Sequence, residues 1–357
     1  MADQQHHSNP KKPQHTTRNW IIGIIVVLIV ALGGYGYHLY ASAHDTVNKT
    51  QAPLKTKKNK AATKKADKAT KFAKPISLLV MNSGTKDLSA SDIHTDTMMV
   101  MTLNPEMKKT TLTTVPYNTM AELVGSSDKT VAPINTAYTK GGADMSVSSV
   151  SSLINAPIDY YALVNVNGLT KLVDTFGGVD ITPTETFSRD GHDFKAGEKM
   201  HMDSKTVLSY ARKDSITSAA DLNTTEHQDR QQQVIMAIFK EAASFKSLTN
   251  FKELMKSVQD NMRTNMSFDQ MVTVFSKYRG AMDTLKKDTL AGTQTKVGDT
   301  TYTVDTTDEL QRVSDSVRTS LGLNKKTLKN EETKLNKANK DFNFGTDNAT
   351  GYKISVN

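Results

Sequence analysis

No cysteine occurs among the 357 residues, and tryptophan occurs once. The first absence excludes a disulfide framework; a chain of this length can form a core of its own, so an extracytoplasmic location needs no disulfides. Hydrophobic residues are also sparse, at 37%. That deficit is concentrated at the two ends, and the apolar-periodic segments between about residues 75 and 322 are long enough to bury a full core. No internal repeat and no helix-turn-helix pattern is present. The formal charge of +8 lies mainly in a linker and a tail, which argues against a nucleic-acid partner.

One long apolar run is present. Residues 20–40, from Trp20 to Tyr40, carry no charge, have aromatics at both edges and match the roughly twenty residues needed to cross hydrocarbon. We read them as an N-terminal transmembrane helix, with residues 1–19 as a cytoplasmic tail; the small-x-small sequence Ala41-Ser42-Ala43 keeps a cleaved signal peptide as the alternative. The expected location is the cell membrane, single-pass, with the bulk of the chain outside the cytoplasm. Residues 41–74, exemplified by Lys55-Thr56-Lys57-Lys58-Asn59-Lys60, offer almost nothing to bury and read as a solvated linker, either a self-repelling spacer or a segment attracted to anionic lipid or wall polymer.

From Pro75 onward strands and helices interleave. Ile76 to Met81, Met98 to Leu103, Thr111 to Val115, Tyr160 to Val166 and Val179 to Ile181 are strand-like, while Met145, Val147, Val150, Leu153 and Ile154 recur at helical spacing. A helix from Asn167 is expected to stop at Gly177-Gly178. Asp203, Thr249 and Ser267 are candidate N-caps, Glu226 to Lys246 has a long 3.6-residue period, and Gly298-Asp299 joins a hairpin before a last helix to Leu321. The expected fold is α/β, a mixed central sheet covered by helices on both faces, in a domain spanning residues 75–322. Residues 323–357 read as a polar, loosely attached tail.

Polar clusters sit where strands end, the place at which a sheet presents groups to a ligand. Asp96, between Thr95 and Thr97, could hold Mg²⁺ through one carboxylate while phosphate oxygens and waters complete the shell, or it could cap a turn. Arg230 tops an apolar stripe of Val234, Ala237 and Ile238, which suits either a core or an amphiphile with phosphate on the arginine and hydrocarbon along the stripe.

The order and spacing of the clusters resemble the LytR-CpsA-Psr family over roughly residues 75–245. The resemblance rests on Thr95-Asp96-Thr97-Met98-Met99, Ile134-Asn135-x-Ala137-Tyr138-x-x-Gly141-Gly142, and Ile158-Asp159-Tyr160-Tyr161 with Asn165. It continues through Val173-Asp174-x-x-Gly177-Gly178-Val179, Leu208-x-Tyr210-Ala211-Arg212 and Arg230-Gln231-Gln232. It implies a phosphotransferase that moves a glycopolymer, such as a teichoic acid, from a polyprenyl-pyrophosphate carrier to peptidoglycan with the help of Mg²⁺. Asp96, Arg212 and Arg230 would be catalytic, with Asp96 and Asn118 on the metal. Gln231, Asn118, Tyr117, His94 and His227 would line the substrate site, and the lipid chain would lie in an apolar cavity between sheet and helices.

Several positions depart from the family pattern. Arg-x-Asp-Thr is His94-Thr95-Asp96-Thr97 here, and Pro-Arg-Asp-Thr is Pro116-Tyr117-Asn118-Thr119, so one permanent cation and one carboxylate are replaced. Arg-x-Arg is Arg212-Lys213-Asp214, and Asp-x-Gly-Arg is Thr224-Thr225-Glu226-His227. The depleted arginines raise a second reading: a weakly active or inactive protein that binds polyprenyl phosphate or wall polymer and modulates envelope assembly.

Overall fold

The computed structural model describes residues 50–89, 92–127, 130–212, 225–244, 248–345 and 350–354. The apolar run at 20–40 therefore lies outside the described residues, among which no helix is long and apolar enough to cross a membrane. Six strands form the main sheet: β1 (Ile76–Ser83), β2 (Thr97–Asn104), β3 (Lys109–Val115), β4 (Tyr160–Asn165), β5 (Met262–Thr264) and β6 (Thr284–Thr289), in the order β5-β4-β1-β2-β3-β6. The sheet is mixed: β1 runs parallel to β4 and antiparallel to β2, while β3 runs antiparallel to β2 and parallel to β6.

Strands buried on both faces need apolar side chains at successive positions rather than alternate ones. Leu78, Leu79, Val80 and Met81 of β1 are all buried. Leu79 and Met81 pack with Val147, Val150 and Leu153 of α2 (Thr136–Leu153) and with Leu310, Val313 and Val317 of α8 (Thr307–Ser320). On the opposite face, Leu78 and Tyr160 line an apolar cavity of about 180 Å³ with Phe239 of α5 (Thr225–Ser244), Met255 of α6 (Leu248–Val258) and Met271 of α7 (Phe268–Lys277).

Local signals fix the remaining boundaries. Asn165 caps α3 (Val166–Phe176), its Oδ1 accepting from the Gly168 N–H at 2.8 Å, and Gly177 ends that helix in the left-handed region at φ 76°. Asp203 caps α4 (Ser204–Ala211), and Ser267 forms a capping box with Gln270 at the start of α7. Thr249 falls inside α6, which begins at Leu248.

Two segments read as solvated belong to the fold. Residues 57–71, expected in the linker, form α1 (Lys57–Lys71), capped by Thr56 and seated on the domain through buried Asn59, Ala66 and Thr70. Asn59 Nδ2 donates to Ser148 Oγ at 3.0 Å, and Tyr160 OH donates to Asp67 Oδ1 at 3.0 Å. Lys and Ala are good helix formers, so a short buried stripe suffices to hold this polar helix in place. Beyond Leu323, α9 (Glu331–Ala338) and Tyr352 pack against Met120, Tyr302 and Val304, with Phe342 and Phe344 edge-on to the Tyr352 ring. Few apolar residues remain in that tail, but burial is concentrated in these large aromatic rings.

Candidate functional site

β1 and β4 end, and β2 begins, at one end of the sheet, and that end carries a cavity of about 590 Å³. Asn82, Gly84, Asp96, Thr97, Tyr117 and Asn135 form its polar wall. Facing them are Val166 and Leu169 of α3, Leu208, Ala211 and Arg212 at the end of α4, and Gln231, Val234 and Ile235 of α5. Asp96, Tyr117, Arg212 and Gln231, all named as candidates from the sequence, thus line one cavity. The first wall is polar with a single carboxylate, and the facing one sets Arg212 and Gln231 among apolar side chains, so cation, hydrogen-bonding groups and apolar surface for an amphiphile share one cavity.

Asp96 is placed by main-chain geometry. Its N–H donates to the Asn82 carbonyl at 2.8 Å, which extends the β1–β2 pairing by one step. Gly84 has no Cβ because there is no room for one: such an atom would stand 2.6 Å from Asp96 Oδ2. The carboxylate is open toward the cavity, yet loss of water raises its pKa, opposed by a hydrogen bond from the Gly84 N–H and by the charge of His94. Burial, reinforced by the Asp96 charge, pushes the Tyr117 phenol up to about 12, so Tyr117 enters the site as a neutral hydrogen-bonding group.

The loops on the polar wall are knit together. Asn135 N–H donates to the Tyr117 carbonyl at 3.0 Å, Thr95 Oγ1 donates to the Asn135 carbonyl at 3.4 Å, and the Ile134 N–H donates to the Thr119 carbonyl at 2.9 Å. The Asn135 side chain makes no capping bond to α2, and its Oδ1 is buried with no hydrogen-bond partner. A buried amide oxygen without a donor is costly, and a cation or water is the usual remedy.

Other expected site residues lie elsewhere. Asn118 is buried away from the cavity lining, with its Oδ1 accepting from Thr303 Oγ1 at 2.8 Å; it serves a contact with the C-terminal hairpin rather than the cavity wall. Arg230 is only 2% exposed, ion-paired to Glu185 and stacked over the Phe187 ring at 4.9 Å, behind the cavity. His94 is exposed outside the lining, its Nδ1 3.4 Å from Thr139 Oγ1. The His227 side chain and residues 213–224, including Lys213, are outside the described residues. Asp159, in one of the motifs, sits at the far end of β1 and accepts from the Ser77 N–H at 2.9 Å.

One arginine escaped the sequence reading. Arg189 stacks on Phe187 at 5.2 Å, sharing that ring with Arg230, and donates to the carbonyl of Arg212, whose own guanidinium pairs with Asp190 Oδ2 at 3.2 Å. Burial lowers the Arg189 pKa, and Arg230 lowers it further. The available signal was the Asp190-Gly191 turn between Phe187–Arg189 and His192–Phe194, a two-residue hairpin with aromatics at alternate positions.

The chain is thus a mixed-sheet α/β protein with a cavity of polar and apolar walls at one sheet end, and comparison with known proteins places it in a family. The LytR_cpsA_psr family profile matches residues 37–319, and the chain belongs to that family. The polyisoprenyl-teichoic acid–peptidoglycan teichoic acid transferase TagU of Bacillus anthracis is 35% identical over 265 residues, covering 74% of this chain and 83% of its own length. TagU of Bacillus subtilis is 33% identical over 294 residues, 82% of this chain and 92% of that one. The solved structure of a protein described as a transcriptional regulator of Enterococcus faecalis aligns with a TM-score of 0.63 at 28% identity, covering 76% of this chain and 96% of that one.

Proposed function

We propose that this protein transfers a lipid-linked wall glycopolymer to peptidoglycan, the activity named for its TagU relatives. The observation that carries the reading is the cavity of about 590 Å³ with Asp96, Tyr117, Arg212 and Gln231 beside Val166, Leu169, Leu208 and Val234. A polyprenyl-pyrophosphate glycan needs both walls: cationic and hydrogen-bonding groups for the phosphates, apolar ones for the lipid. The hydrocarbon would continue along the sheet face toward the second, apolar cavity. The chain would be held at the membrane by residues 20–40, with the catalytic domain outside the cytoplasm.

The acceptor hydroxyl attacks the glycan-bearing phosphorus and gives up its proton to solvent, while the bond to the bridging oxygen of the carrier breaks and polyprenyl phosphate leaves. Negative charge builds on the leaving oxygens, so positioned cations and donors carry the rate. Arg212 would hold the phosphates and the Gln231 amide would orient them. The partnerless Asn135 Oδ1 and the Asp96 carboxylate suit a hard cation that keeps several waters, and these two residues would hold Mg²⁺. When bound, Mg²⁺ supplies neutralisation of the charge on the phosphoryl oxygens.

A second reading, binding with little turnover, is favoured by one placement. Arg230 is buried outside the cavity lining, committed to Glu185 and to the Phe187 ring. Purified protein given a pyrophosphate-linked glycan, peptidoglycan and Mg²⁺ distinguishes the two readings: transfer that disappears in Asp96→Ala supports the enzyme, while bound lipid with no product at high protein concentration selects the binder.

A further inference from the structure

The outward face of α1 and the sheet end beside it form a basic surface with exposed apolar tips, at the opposite end of β1 from the candidate site. We propose that this surface docks on an anionic lipid bilayer. Lys57, Lys60, Lys64, Lys68 and Lys71 are exposed along α1. The one acidic residue of the helix, Asp67, turns inward to Tyr160 and Gln270 and so does not offset them. At the C-terminal end of α1, Phe72 is 77% exposed.

Contacts gather further groups at that end. Lys74 Nζ pairs with Glu106 Oε1 at 2.6 Å, which brings in the β2–β3 turn and its Met107, 50% exposed. Lys277 Nζ donates to the Lys71 carbonyl at 2.6 Å, and exposed Arg279 follows in the next turn. The other acids at this end, among the described residues, are Glu106, engaged by Lys74, Asp159, which accepts from the Ser77 N–H, and Asp283.

Charge alone fits any polyanion. A soluble wall polymer, however, gives nothing to Phe72 and Met107, whereas a bilayer offers head groups to the lysines and the acyl boundary to the two apolar tips. The position in the chain agrees: residues 50–56 are bound to the domain, with Thr50 and Leu54 buried and the Ala52 N–H donating to the Thr264 carbonyl at 2.7 Å, so residues 41–49 separate the apolar run from it and reach at most about 32 Å at ~3.5 Å per residue. That tether argument rests on the membrane-anchored reading above; the surface itself does not.

The test uses the full chain with Trp20→Phe and Phe72→Trp, which leaves a single indole, on the proposed surface. The protein is reconstituted into vesicles of phosphatidylcholine alone or with phosphatidylglycerol, each with and without brominated acyl chains. Docking predicts blue-shifted indole emission that brominated lipid quenches in the phosphatidylglycerol vesicles only. High salt or Lys64→Glu with Lys68→Glu should restore water-like emission, the docked-to-undocked ratio falling roughly fivefold for each lysine charge removed. Vesicle flotation with the indole equally water-exposed in both lipids would keep the anchor and overturn docking. An indole response to soluble poly(glycerol phosphate) but not to phosphatidylglycerol would overturn it in favour of a wall-polymer partner, and failure to float with either vesicle would overturn both membrane readings.

Discussion

On one wall of the cavity Asp96 is held by main-chain hydrogen bonds and a missing Cβ at Gly84, with no ion-paired cation among the described residues; on the other side Arg212 lines the cavity, held by Asp190, and Arg230 lies behind it, held by Glu185. The anionic side is therefore positioned before any ligand arrives, and loss of water alone already raises the Asp96 pKa. The cationic side is positioned by competitors of the substrate. A phosphate entering here gains Arg212 at the expense of an exposed ion pair, which costs about 0–1 kcal/mol. Gaining Arg230 would break a buried one. The departures from the family pattern thus touch both sides: the polar wall keeps Asp96 but carries Tyr117 where the pattern has an arginine, and the arginines opposite are committed to internal partners.

The comparison makes the carboxylate wall indispensable, so Asp96→Asn should lower transfer by on the order of 10³ with an unchanged melting temperature. A loss of less than tenfold would move the chemistry elsewhere. On the arginine wall, Glu185→Ala leaves the Arg230 guanidinium buried beside Phe187 without its carboxylate and should destabilise by about 2–3 kcal/mol, read by urea unfolding. Unchanged stability would mean that Arg230 is free to turn toward substrate. Tyr117→Arg adds a cation to the polar wall and should tighten polyprenyl phosphate roughly tenfold, measured by calorimetry. The companion change Asn118→Asp should not help, because that side chain meets Thr303 instead of the cavity. The smallest effect concerns His94, whose charge lowers the Asp96 pKa against burial. Asp96 must be ionised to bind a cation, so the acid limb of the pH–rate profile should lie above the ordinary aspartate range, and His94→Ala should move it higher still; a shift to lower pH would contradict the placement.

Much of this was legible in the sequence where burial is two-sided or a cap is strong. The runs of β1, β2 and β4, the stop at Gly177 and the Ser267 cap were read correctly because apolar continuity and capping chemistry act locally. Edge strands were not: β5 is Met262-Arg263-Thr264 and β6 carries Lys286, Lys287 and Asp288, the charged composition that protects sheet edges and hides them from a hydrophobic pattern. At the candidate site, motif order singled out Asp96, Tyr117, Arg212 and Gln231, which line one cavity. The positions of Asn118 and Arg230 depend on Thr303, Glu185 and Phe187, partners distant in sequence, and no local signal announces them.

The Arg230-Gln231-Gln232-Gln233 run of α5 has a wider consequence. Successive helix residues point about 100° apart, and these four address different neighbours. Arg230 meets Glu185, and Gln231 meets the cavity. Gln232 donates to Thr114 Oγ1 at 2.6 Å and to the Asp288 carbonyl at 2.7 Å, while Gln233 accepts from Tyr210 OH at 2.9 Å. One helical turn therefore works as a junction among the ion pair, the ligand wall, the sheet edge and α4. Adding or deleting a single residue ahead of it within the helix would send all four side chains to the wrong addresses at once, whereas a substitution touches one address only.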